Sequence, residues 1–411
     1  MKKKIIIILL LIIVVAGVSF GANLLLNQEK EDKTEDGTEI ITKENNRSEK
    51  ANQSTAANSN EKPKNEIKLF EDLKVEKNRS RIIVTAEIKE EFKNSDNFTV
   101  VYGDGSSEEI SPMFESLNME HIYRETGSFT IKISSNGIIE TVDINIDEIP
   151  IQVTDDNFKA GLIKKFQKLR TKNEEAILVD RLIYPSQAKL VKEFKKYSGS
   201  LNNKKIKEIK GIKHFSNLKL LSLENNNINN IEELKYLKKL EQLYLKGNKI
   251  EDIKAISSLN QLEILDLSDN NIIGLNPIKE LENLKELRIE NNKNEKLENI
   301  NFANSKLKKL NKLYLENTNI KRINLGNLDI KEITIKDSPV NDINFLLGLE
   351  KIEYIYLENI KIDNINVLSK LKDHDNLKRI TINIPGIDEY NRDSEDFKVI
   401  EELKDNDIMV F

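Results

Sequence analysis

Three neighbouring columns of polar and aromatic side chains recur between regularly spaced leucines in the second half of this chain. They flank L-x-L pairs, and because side chains alternate along a strand, the flanking residues share one face while both leucines point to the other. Tyr and Arg are frequent in these columns, and both residue types dominate the energetics of protein interfaces. The pattern therefore predicts recognition of a partner, and the alternative is that tyrosine simply favours exposed strands. The candidate binding residues are Tyr244, Lys246, Asp266, Arg288, Tyr314, Tyr354 and Tyr356.

Residue types that could carry catalysis or hold a metal are few and scattered. The chain has no cysteine and three histidines, and His121, His214 and His374 fall in different predicted elements. No H-E-x-x-H, G-x-S-x-G, Walker A or G-x-G-x-x-G string occurs. The carboxylates are numerous but scattered, so the sequence gives no support to a catalytic pair. We predict no catalytic residue, no metal site and no cofactor, and we interpret the chain as a non-enzyme.

The leucines that position the candidate residues form a tandem repeat. Residues 218–231 read L-x-x-L-x-L-x-x-N-x-I-x-x-I, and residues 240–253 repeat this string 22 positions later. The string is the signature of leucine-rich repeats, in which parallel strands alternate with 3₁₀ or extended segments. After a degenerate copy at Leu201, the marker leucine recurs at Leu223, Leu245, Leu267, Ile289, Leu315, Ile335, Leu357 and Ile382. We predict a solenoid over residues 201–411, closed by a helix at 395–403 and a strand at 408–411.

Each repeat carries one polar residue where the chain leaves the strand. In the early repeats this residue is Asn, whose amide can donate to and accept from backbone groups that the turn leaves unpaired. Along the array the position reads Asn226, Asn248, Asn270, Asn292, Thr318, Ser338, Ile360 and Pro385. Because the amide is lost in the second half, we expect the last three or four repeats to be less regular and to show faster amide exchange.

The 22-residue spacing resembles that of internalin-like bacterial proteins from about residue 202 to the C-terminus. The string D-x-N-F-x-A-x-L-x-x-x-F at residues 155–166 also resembles the N-terminal cap of bacterial leucine-rich-repeat surface proteins. The resemblance implies a surface protein that recognises a partner. For residues 150–200 we predict a helical cap, because the first repeat would otherwise expose its core. Its helices are expected to start at Asp155 or Asp156, to span 174–183, and to follow Pro185 with Ser186 as N-cap.

Residues 67–149 have the alternating pattern of short β-strands. The apolar runs lie near residues 82–88, 98–102, 129–133 and 142–146, with turn signals between them, and about seven strands predict a β-sandwich. The strings Val101–Ser106, containing G-D-G, and His121–Ile133 resemble the polycystic kidney disease (PKD) domain, which implies an immunoglobulin-like extracellular spacer. The usual Trp before the turn is missing, so Val100 or Tyr102 must fill its volume. Asp104 and His121 are interpreted as turn residues rather than as a metal ligand and a catalytic base.

The N-terminus has the features of an export signal. Lysines precede an uncharged stretch at residues 5–26, so residues 1–26 are predicted to be either a cleaved signal peptide or a membrane anchor. Residues 27–66 are rich in Glu, Lys, Asn and Ser and are predicted to form a disordered linker. The net charge of −5 gives no reason to expect a nucleic acid partner.

The sequence thus predicts a multidomain chain, in which an all-β PKD-like sandwich precedes a helical cap and a leucine-rich-repeat solenoid. We expect an exported monomer, with residues 5–26 as its membrane anchor, that binds a protein or glycan through the concave face of its repeats. The alternative is a structural envelope component that packs against other surface proteins without a discrete ligand site.

Overall fold

A computed structural model describes residues 39–42, 67–94, 97–111, 116–170, 172–173, 176–178, 180–195, 201–362, 365–387, 392–406 and 408–410. The predicted signal peptide or anchor at residues 1–26 lies outside these ranges, as does the predicted linker at 27–66 apart from Glu39–Thr42. Within the described ranges, no helix has both the length and the apolar character needed to cross a membrane.

The elements fall into a β-rich first part and a repeating second part. The first part contains β1 (Glu39–Thr42), β2 (Phe70–Asn78), β3 (Arg81–Ile88), β4 (Phe98–Val101), β5 (Ser107–Ile110), β6 (Ser116–Ile122), β7 (Gly127–Ser135) and β8 (Ile138–Ile146). The second begins with helices α1 (Asp156–Leu169) and α2 (Pro185–Ala188) and strands β9 (Glu193–Phe194), β10 (Leu220–Ser222), β11 (Gln242–Tyr244), β12 (Ile264–Asp266) and β13 (Glu286–Arg288). It continues with β14 (Asn299–Asn301), β15 (Lys312–Glu316), β16 (Arg322–Asn324), β17 (Glu332–Lys336), β18 (Tyr354–Glu358), β19 (Arg379–Asn383), helix α3 (Glu395–Asp405) and β20 (Met409–Val410).

The first part is a sandwich of two antiparallel sheets. One sheet has the strand order β1-β2-β3-β6 and the other β5-β4-β7-β8. The alternating residues of both inner faces form one apolar core, as expected for packed sheets. Strand β1 pairs with β2 through Ile40 and Ile41, opposite Glu76 and Val75. These four residues, which fall within the predicted linker, thus form a strand at the edge of the sheet.

Two tyrosines fill the centre of the sandwich. Tyr123 is fully buried and Tyr102 is 3% exposed, and the Tyr123 hydroxyl donates a hydrogen bond to the Tyr102 carbonyl oxygen at 2.9 Å. Val100 is also fully buried. Both residues that the sequence offered in place of the missing Trp thus contribute to this core.

A polar seam joins the sandwich to the segment that follows it. The Ser80 and Tyr184 hydroxyls lie 3.0 Å apart, and the Arg79 guanidinium lies 5.0 Å from the centroid of the Tyr184 ring. Arg79 also pairs with Glu148 at 2.9 Å, and the Ser186 hydroxyl donates to the same carboxylate at 2.7 Å. These contacts tie the β2–β3 turn to the end of the sandwich and to the start of α2.

The N-terminal end of the solenoid is covered by one long helix rather than three. Phe158, Leu162 and Phe166 of α1 are fully buried in the core that they share with the first repeats. Residues 176–178 and 180–183 are not α-helical, and α2 is a single turn. The described residues of the second predicted helix are thus not helical. The third predicted helix is present only as this one turn, and its N-cap is Tyr184 rather than Ser186. The chain then extends into β9, which adds a strand to the repeat sheet.

The repeats build one parallel sheet of ten strands. Its order is β20-β19-β18-β17-β15-β13-β12-β11-β10-β9. On the opposite side, 3₁₀ segments such as Glu232–Tyr236 and Lys254–Ser258 carry the chain back in most repeats. In the middle of the array, β14 and β16 pair there instead as a small parallel sheet. The segments for which the sequence predicts a closing helix and strand contain α3 and β20.

Buried asparagines connect each repeat to the one before it. The Asn248 amide nitrogen donates to the carbonyl oxygens of Leu223 (3.0 Å) and Leu245 (2.8 Å), and its oxygen accepts from the Ile228 nitrogen at 3.1 Å. The three equivalent residues, Asn226, Asn270 and Asn292, make the same set of bonds. We call this series the Asn ladder.

Hydroxyl side chains continue the Asn ladder for two repeats. Thr318 and Ser338 are buried, their hydroxyls lie 3.0 Å apart, and Ser338 also donates to the Leu315 carbonyl oxygen at 3.2 Å. A hydroxyl has one proton to donate, whereas an amide has two, so fewer backbone groups are satisfied here. Ile360 occupies the equivalent position in the next repeat, and its side chain has no polar atom, as the sequence indicates.

We expect the change Asn248→Ala to lower the free energy of unfolding by about 1–3 kcal/mol. It leaves the buried Ile228 nitrogen without an acceptor, and it removes one of the two amide donors that bond each of the Leu223 and Leu245 carbonyl oxygens. Urea unfolding monitored by circular dichroism measures this. Asn271→Ala is the matched control, because this side chain is exposed and bonds only the side chains of Glu251 and Asn294 among the described residues. We expect a change within about 0.5 kcal/mol. Equal effects of the two substitutions would contradict the role of the ladder.

We expect the contribution of Asp155 to stability to depend on pH. Burial would raise the pKa of its carboxyl. Hydrogen bonds from the backbone nitrogens of Lys207 (2.8 Å), Phe158 (2.9 Å) and Glu208 (3.3 Å) outweigh this effect and hold the pKa below its ordinary value. A lowered pKa contributes stability that is complete above about pH 4 and is lost as the pH falls through the folded-state value.

Asp155→Ala should therefore be clearly less stable than the wild type at pH 7, with a difference that shrinks towards pH 2–3. Thermal melting at a series of pH values measures it. Asp156→Ala, at the exposed next position, should show no such convergence. A stability gap for Asp155→Ala that is constant from pH 7 to pH 2 would disprove the assignment.

Candidate functional site

The candidate residues lie on the concave sheet in continuous rows across the strands. Pairing places the central column in register from β10 to β19, and this column reads Ser222, Tyr244, Asp266, Arg288, Tyr314, Thr334, Tyr356 and Thr381. Tyr354 occupies the preceding column, next to Glu332 and Arg379. Lys246 lies just beyond β11, in the column that follows. The structure thus brings all seven candidates to one surface, as neighbouring strands of one sheet.

The first four repeats enclose a concavity of about 750 Å³ on this surface. Tyr244, Lys246, Asp266 and Arg288 all line it. Asp266 is 3% exposed, and its Oδ1 accepts a hydrogen bond from the Ser268 nitrogen at 3.0 Å. The Tyr244 hydroxyl donates to Gln242 Oε1 at 3.1 Å. Four of the seven candidates therefore share one depression, with a carboxylate in its floor and an aromatic ring beside it.

A chain of contacts fixes Arg288 and Tyr314. The guanidinium lies 4.1 Å from the centroid of the Tyr314 ring and pairs with Glu286 at 2.7 Å. The Tyr314 hydroxyl donates to Glu332 Oε1 at 2.9 Å, and Lys312 pairs with the other oxygen of Glu332 at 3.3 Å. Burial, together with the hydrogen bond to Glu332, raises the pKa of Tyr314 well above its ordinary value. A tyrosine hydroxyl is neutral at physiological pH in any case, and the bond to Glu332 fixes the direction in which it donates.

The two remaining candidates lie on one strand further along. Tyr354 and Tyr356 of β18 are both half-buried, and their positions two residues apart put them on the same face. Lys378 lies 5.7 Å from the centroid of the Tyr354 ring, and Thr334 and Thr381 flank Tyr356 in register. This part of the surface is aromatic and hydroxyl-rich, unlike the charged concavity near β11–β13.

Sequence reasoning missed a column of left-handed residues directly before the Asn ladder. All of them have positive φ, between 47° and 71°, and they are Asn225, Gly247, Asp269, Asn291, Asn317, Asp337 and Asn359. Asn and Asp tolerate this region better than other side chains, and Gly has no penalty there. The recurrence of only these three residue types at one repeat position is the signal that could have revealed the turn.

The left-handed residues also bond to one another across repeats. Asn291 Nδ2 donates to Asp269 Oδ1 at 2.7 Å, and Asn317 Nδ2 donates to Asn291 Oδ1 at 2.6 Å. Asn359 donates to Asp337 in the same way at 2.7 Å. Because Lys246 pairs with Asp269 at 3.2 Å, this turn also positions a candidate binding residue.

The Asp104 and His121 side chains do meet in the sandwich, together with Ser106. His121 Nε2 lies 2.8 Å from Asp104 Oδ2, and the Ser106 hydroxyl donates to Asp104 Oδ1 at 2.5 Å. Asp104 therefore bonds both partners, whereas a relay requires the histidine to lie between serine and aspartate. His121 also stacks on Tyr102, with ring centroids 4.0 Å apart. The trio therefore fixes the turn, which fits the interpretation of Asp104 and His121 as turn residues.

Comparison with known protein families identifies part of the repeat array. Residues 216–259 and 238–280 match the model described as leucine-rich repeats (2 copies). These residues are leucine-rich repeats. They include Tyr244, Lys246 and Asp266, and with the parallel sheet they make the second part of the chain a leucine-rich-repeat solenoid. The match does not reach residues 67–149, so a PKD-like identity for the sandwich stays a prediction. No curated protein sequence matches the chain.

Several solved structures resemble the chain at low identity. An internalin (InlF) of Listeria monocytogenes is 19% identical over 62% of this chain and 88% of its own, with a TM-score of 0.31. Internalin C2 of the same organism is 23% identical over 58% of this chain and 90% of its own, with a TM-score of 0.39. A leucine-rich-repeat protein of Leptospira interrogans is 19% identical over 50% of this chain and 57% of its own, with a TM-score of 0.36. Similarities at this level carry no functional argument.

We expect Gly247→Ala to destabilise the array. Gly247 has a φ of +71°, and a Cβ there would lie 2.3 Å from Asn225 Oδ1 and 3.3 Å from its Cα. A left-handed alanine costs about 1–2 kcal/mol, and this loss should appear in the free energy of unfolding measured in urea. Gly274→Ala is the matched control, because it has no positive φ and open space around it. An equal loss in both variants would show that the left-handed turn is not responsible.

Proposed function

We propose that this chain is an exported bacterial surface protein that binds a protein or glycan partner through the concave face of its repeats. The observation that carries the proposal is the set of half-buried Tyr and Arg side chains in the central column from β11 to β18, namely Tyr244, Arg288, Tyr314 and Tyr356. The first three of these are oriented by hydrogen bonds, an ion pair or a ring contact. Groups that are already ordered before binding lose less entropy when a partner arrives. Tyr and Arg held in this way are the usual anchors of a protein interface.

Recognition accounts for this surface better than catalysis does. The Asp104, Ser106 and His121 trio lacks the order that nucleophilic catalysis needs. Over the described ranges, no group of three or more His, Cys, Asp or Glu side chains could hold a metal ion. The concave face has instead an extended set of aromatic and charged groups spread over many strands, which suits a large partner. We infer a binding protein and not an enzyme.

The remaining segments support presentation of this face. The lysines and the apolar run at residues 1–26 fit export and a membrane anchor, and residues 27–66 fit a tether. The sandwich, by its resemblance to PKD domains, fits a spacer outside the cell. The polar seam at Tyr184 joins that spacer to the solenoid, so a monomeric chain would hold its concave face away from the envelope.

A structural role in the envelope is the competing function, and one observation favours it. The residues that precede the concave strands already pair across repeats: Lys219 with Glu241 (2.7 Å), Lys285 with Glu263 (2.8 Å), and Lys331 and Lys378 with Glu353 (3.1 and 2.7 Å). Charged side chains that already pair with one another do not need a discrete ligand to neutralise them. These pairs border the sheet, however, and leave its central column of tyrosines uncovered.

We expect the double variant Tyr314→Ala/Tyr356→Ala to reduce partner capture at least about tenfold, since each interface anchor contributes 1 kcal/mol or more. The tagged chain is incubated with host-cell extracts and with a glycan array, and recovery is measured by quantitative mass spectrometry or fluorescence. Tyr236→Ala is the control, because this tyrosine is 51% exposed on the convex side. Thermal melting verifies that each variant is folded. Unchanged recovery of every partner would favour the envelope role instead.

A further inference from the structure

The concavity of the first four repeats has an unbalanced distribution of charge. Its lining contains four carboxylates, Glu193, Asp266, Glu286 and Glu290, and three basic side chains, Lys195, Lys246 and Arg288. The basic side chains already have acidic partners. Lys195 pairs with Glu193 at 3.2 Å, Lys246 with Asp269 at 3.2 Å, and Arg288 with Glu286 at 2.7 Å.

Asp266 is the exception in this lining. It is 97% buried, since 3% of it is exposed, and its Oδ1 accepts from the Ser268 nitrogen. Among the residues that the structure describes, no basic side chain forms an ion pair with it, although Arg288 is its neighbour in register. The Arg288 guanidinium is held instead by Glu286, by Glu290 at 3.8 Å and by the Tyr314 ring. Lys246 lies close enough to Asp266 to interact with its charge, but this one ammonium group also serves Asp269, with which it forms its ion pair, and Glu290. Negative charge therefore exceeds positive charge around Asp266, and a further cation would be attracted there.

The walls beside Asp266 suit an alkyl chain that ends in a positive charge. Leu220 and the Tyr244 ring line the same concavity and offer apolar surface to the methylene groups of a lysine or arginine. The face of a tyrosine ring also attracts an ammonium or guanidinium group. Anionic ligands such as sulfated glycans would meet basic groups that already have acidic partners, together with the Asp266 and Glu290 carboxylates.

We propose that the concavity around Asp266 is a pocket for a lysine or arginine side chain presented by a protein partner. This inference rests on the proposed function, of which it names the partner chemistry. The ammonium or guanidinium group bonds the Asp266 carboxylate, its methylenes pack on Leu220 and Tyr244, and Glu290 adds negative charge. Affinity for the cation weakens as salt screens the exposed part of this attraction.

The test uses the full chain and small probes, so it needs no natural partner. Binding of N-acetyl-lysine amide, N-acetyl-arginine amide and the uncharged N-acetyl-norleucine amide is measured by saturation-transfer NMR. We expect both cationic probes to bind at least about tenfold more tightly than the norleucine probe. Asp266→Asn, which keeps an acceptor for the Ser268 nitrogen, should lose about tenfold in affinity for the lysine probe, equivalent to about 1.4 kcal/mol. Glu358→Gln, four repeats away on the same face, should bind like the wild type.

Three outcomes would overturn the proposal: equal binding of the norleucine and lysine probes, unchanged affinity of Asp266→Asn, or preferential binding of a sulfated disaccharide. If Asp266→Asn melts abnormally, Tyr244→Ala replaces it, with an expected loss of several-fold for the lysine probe and no change as the contradicting result. Failure of the partner-capture experiment leaves probe binding intact. Conversely, captured partners with no probe binding would retain the concave interface and reject this pocket alone.

Discussion

The Asn ladder is the interaction on which the rest of the solenoid depends. Each of its amides bonds two carbonyl oxygens and one nitrogen of the backbone, taken from two consecutive repeats. These backbone groups lie where the chain leaves the strand and are closed to water, so without a side-chain partner each would cost about 1–3 kcal/mol. One residue per repeat thus satisfies the turn and fixes the spacing to its neighbour. The inward leucines supply most of the burial, but a leucine alone does not set this register.

Because the register between strands is fixed, residues that recur at one repeat position become neighbours on the surface of the sheet. Residues 22 positions apart, such as Tyr244 and Asp266, become lateral neighbours, and longer steps in the middle of the array leave this relation intact, as with Arg288 and Tyr314. The variation in length is accommodated on the convex side, where β14, in the long step before Tyr314, and β16, in the short step after it, replace 3₁₀ segments. The register of side chains on the concave surface therefore does not change when the length of a repeat changes. These side chains can differ without loss of fold, which is what a recognition surface requires.

The features predictable from sequence are those set by periodicity. The alternation of leucines gave the strand positions and all seven concave candidates, because a period of two determines which face a side chain occupies. Features set by tertiary contacts were missed. The apolar residues after Pro185 suit a helix as well as a strand, and pairing of Phe194 with Leu221 decides for the strand. The sequence also could not predict whether Asp266 and Arg288 form an ion pair, because several carboxylates lie at similar distances from Arg288 along the chain.

The two halves of the concave face differ in the bonds that hold their backbone in place. Beneath Tyr244 and Asp266 the Asn ladder is complete, whereas beneath Tyr356 its position is held by Ile360. The outer bonds between left-handed residues, such as that from Asn359 to Asp337, partly replace the lost amides, but they are exposed and therefore weaker. Asp266 therefore lies where side-chain amides bond the backbone at every turn, whereas Tyr354 and Tyr356 lie where neighbouring strands pair over five residues rather than three. The first half of the face is held mainly by its turns and the second mainly by its sheet, so both halves are ordered before a partner of the proposed kind arrives.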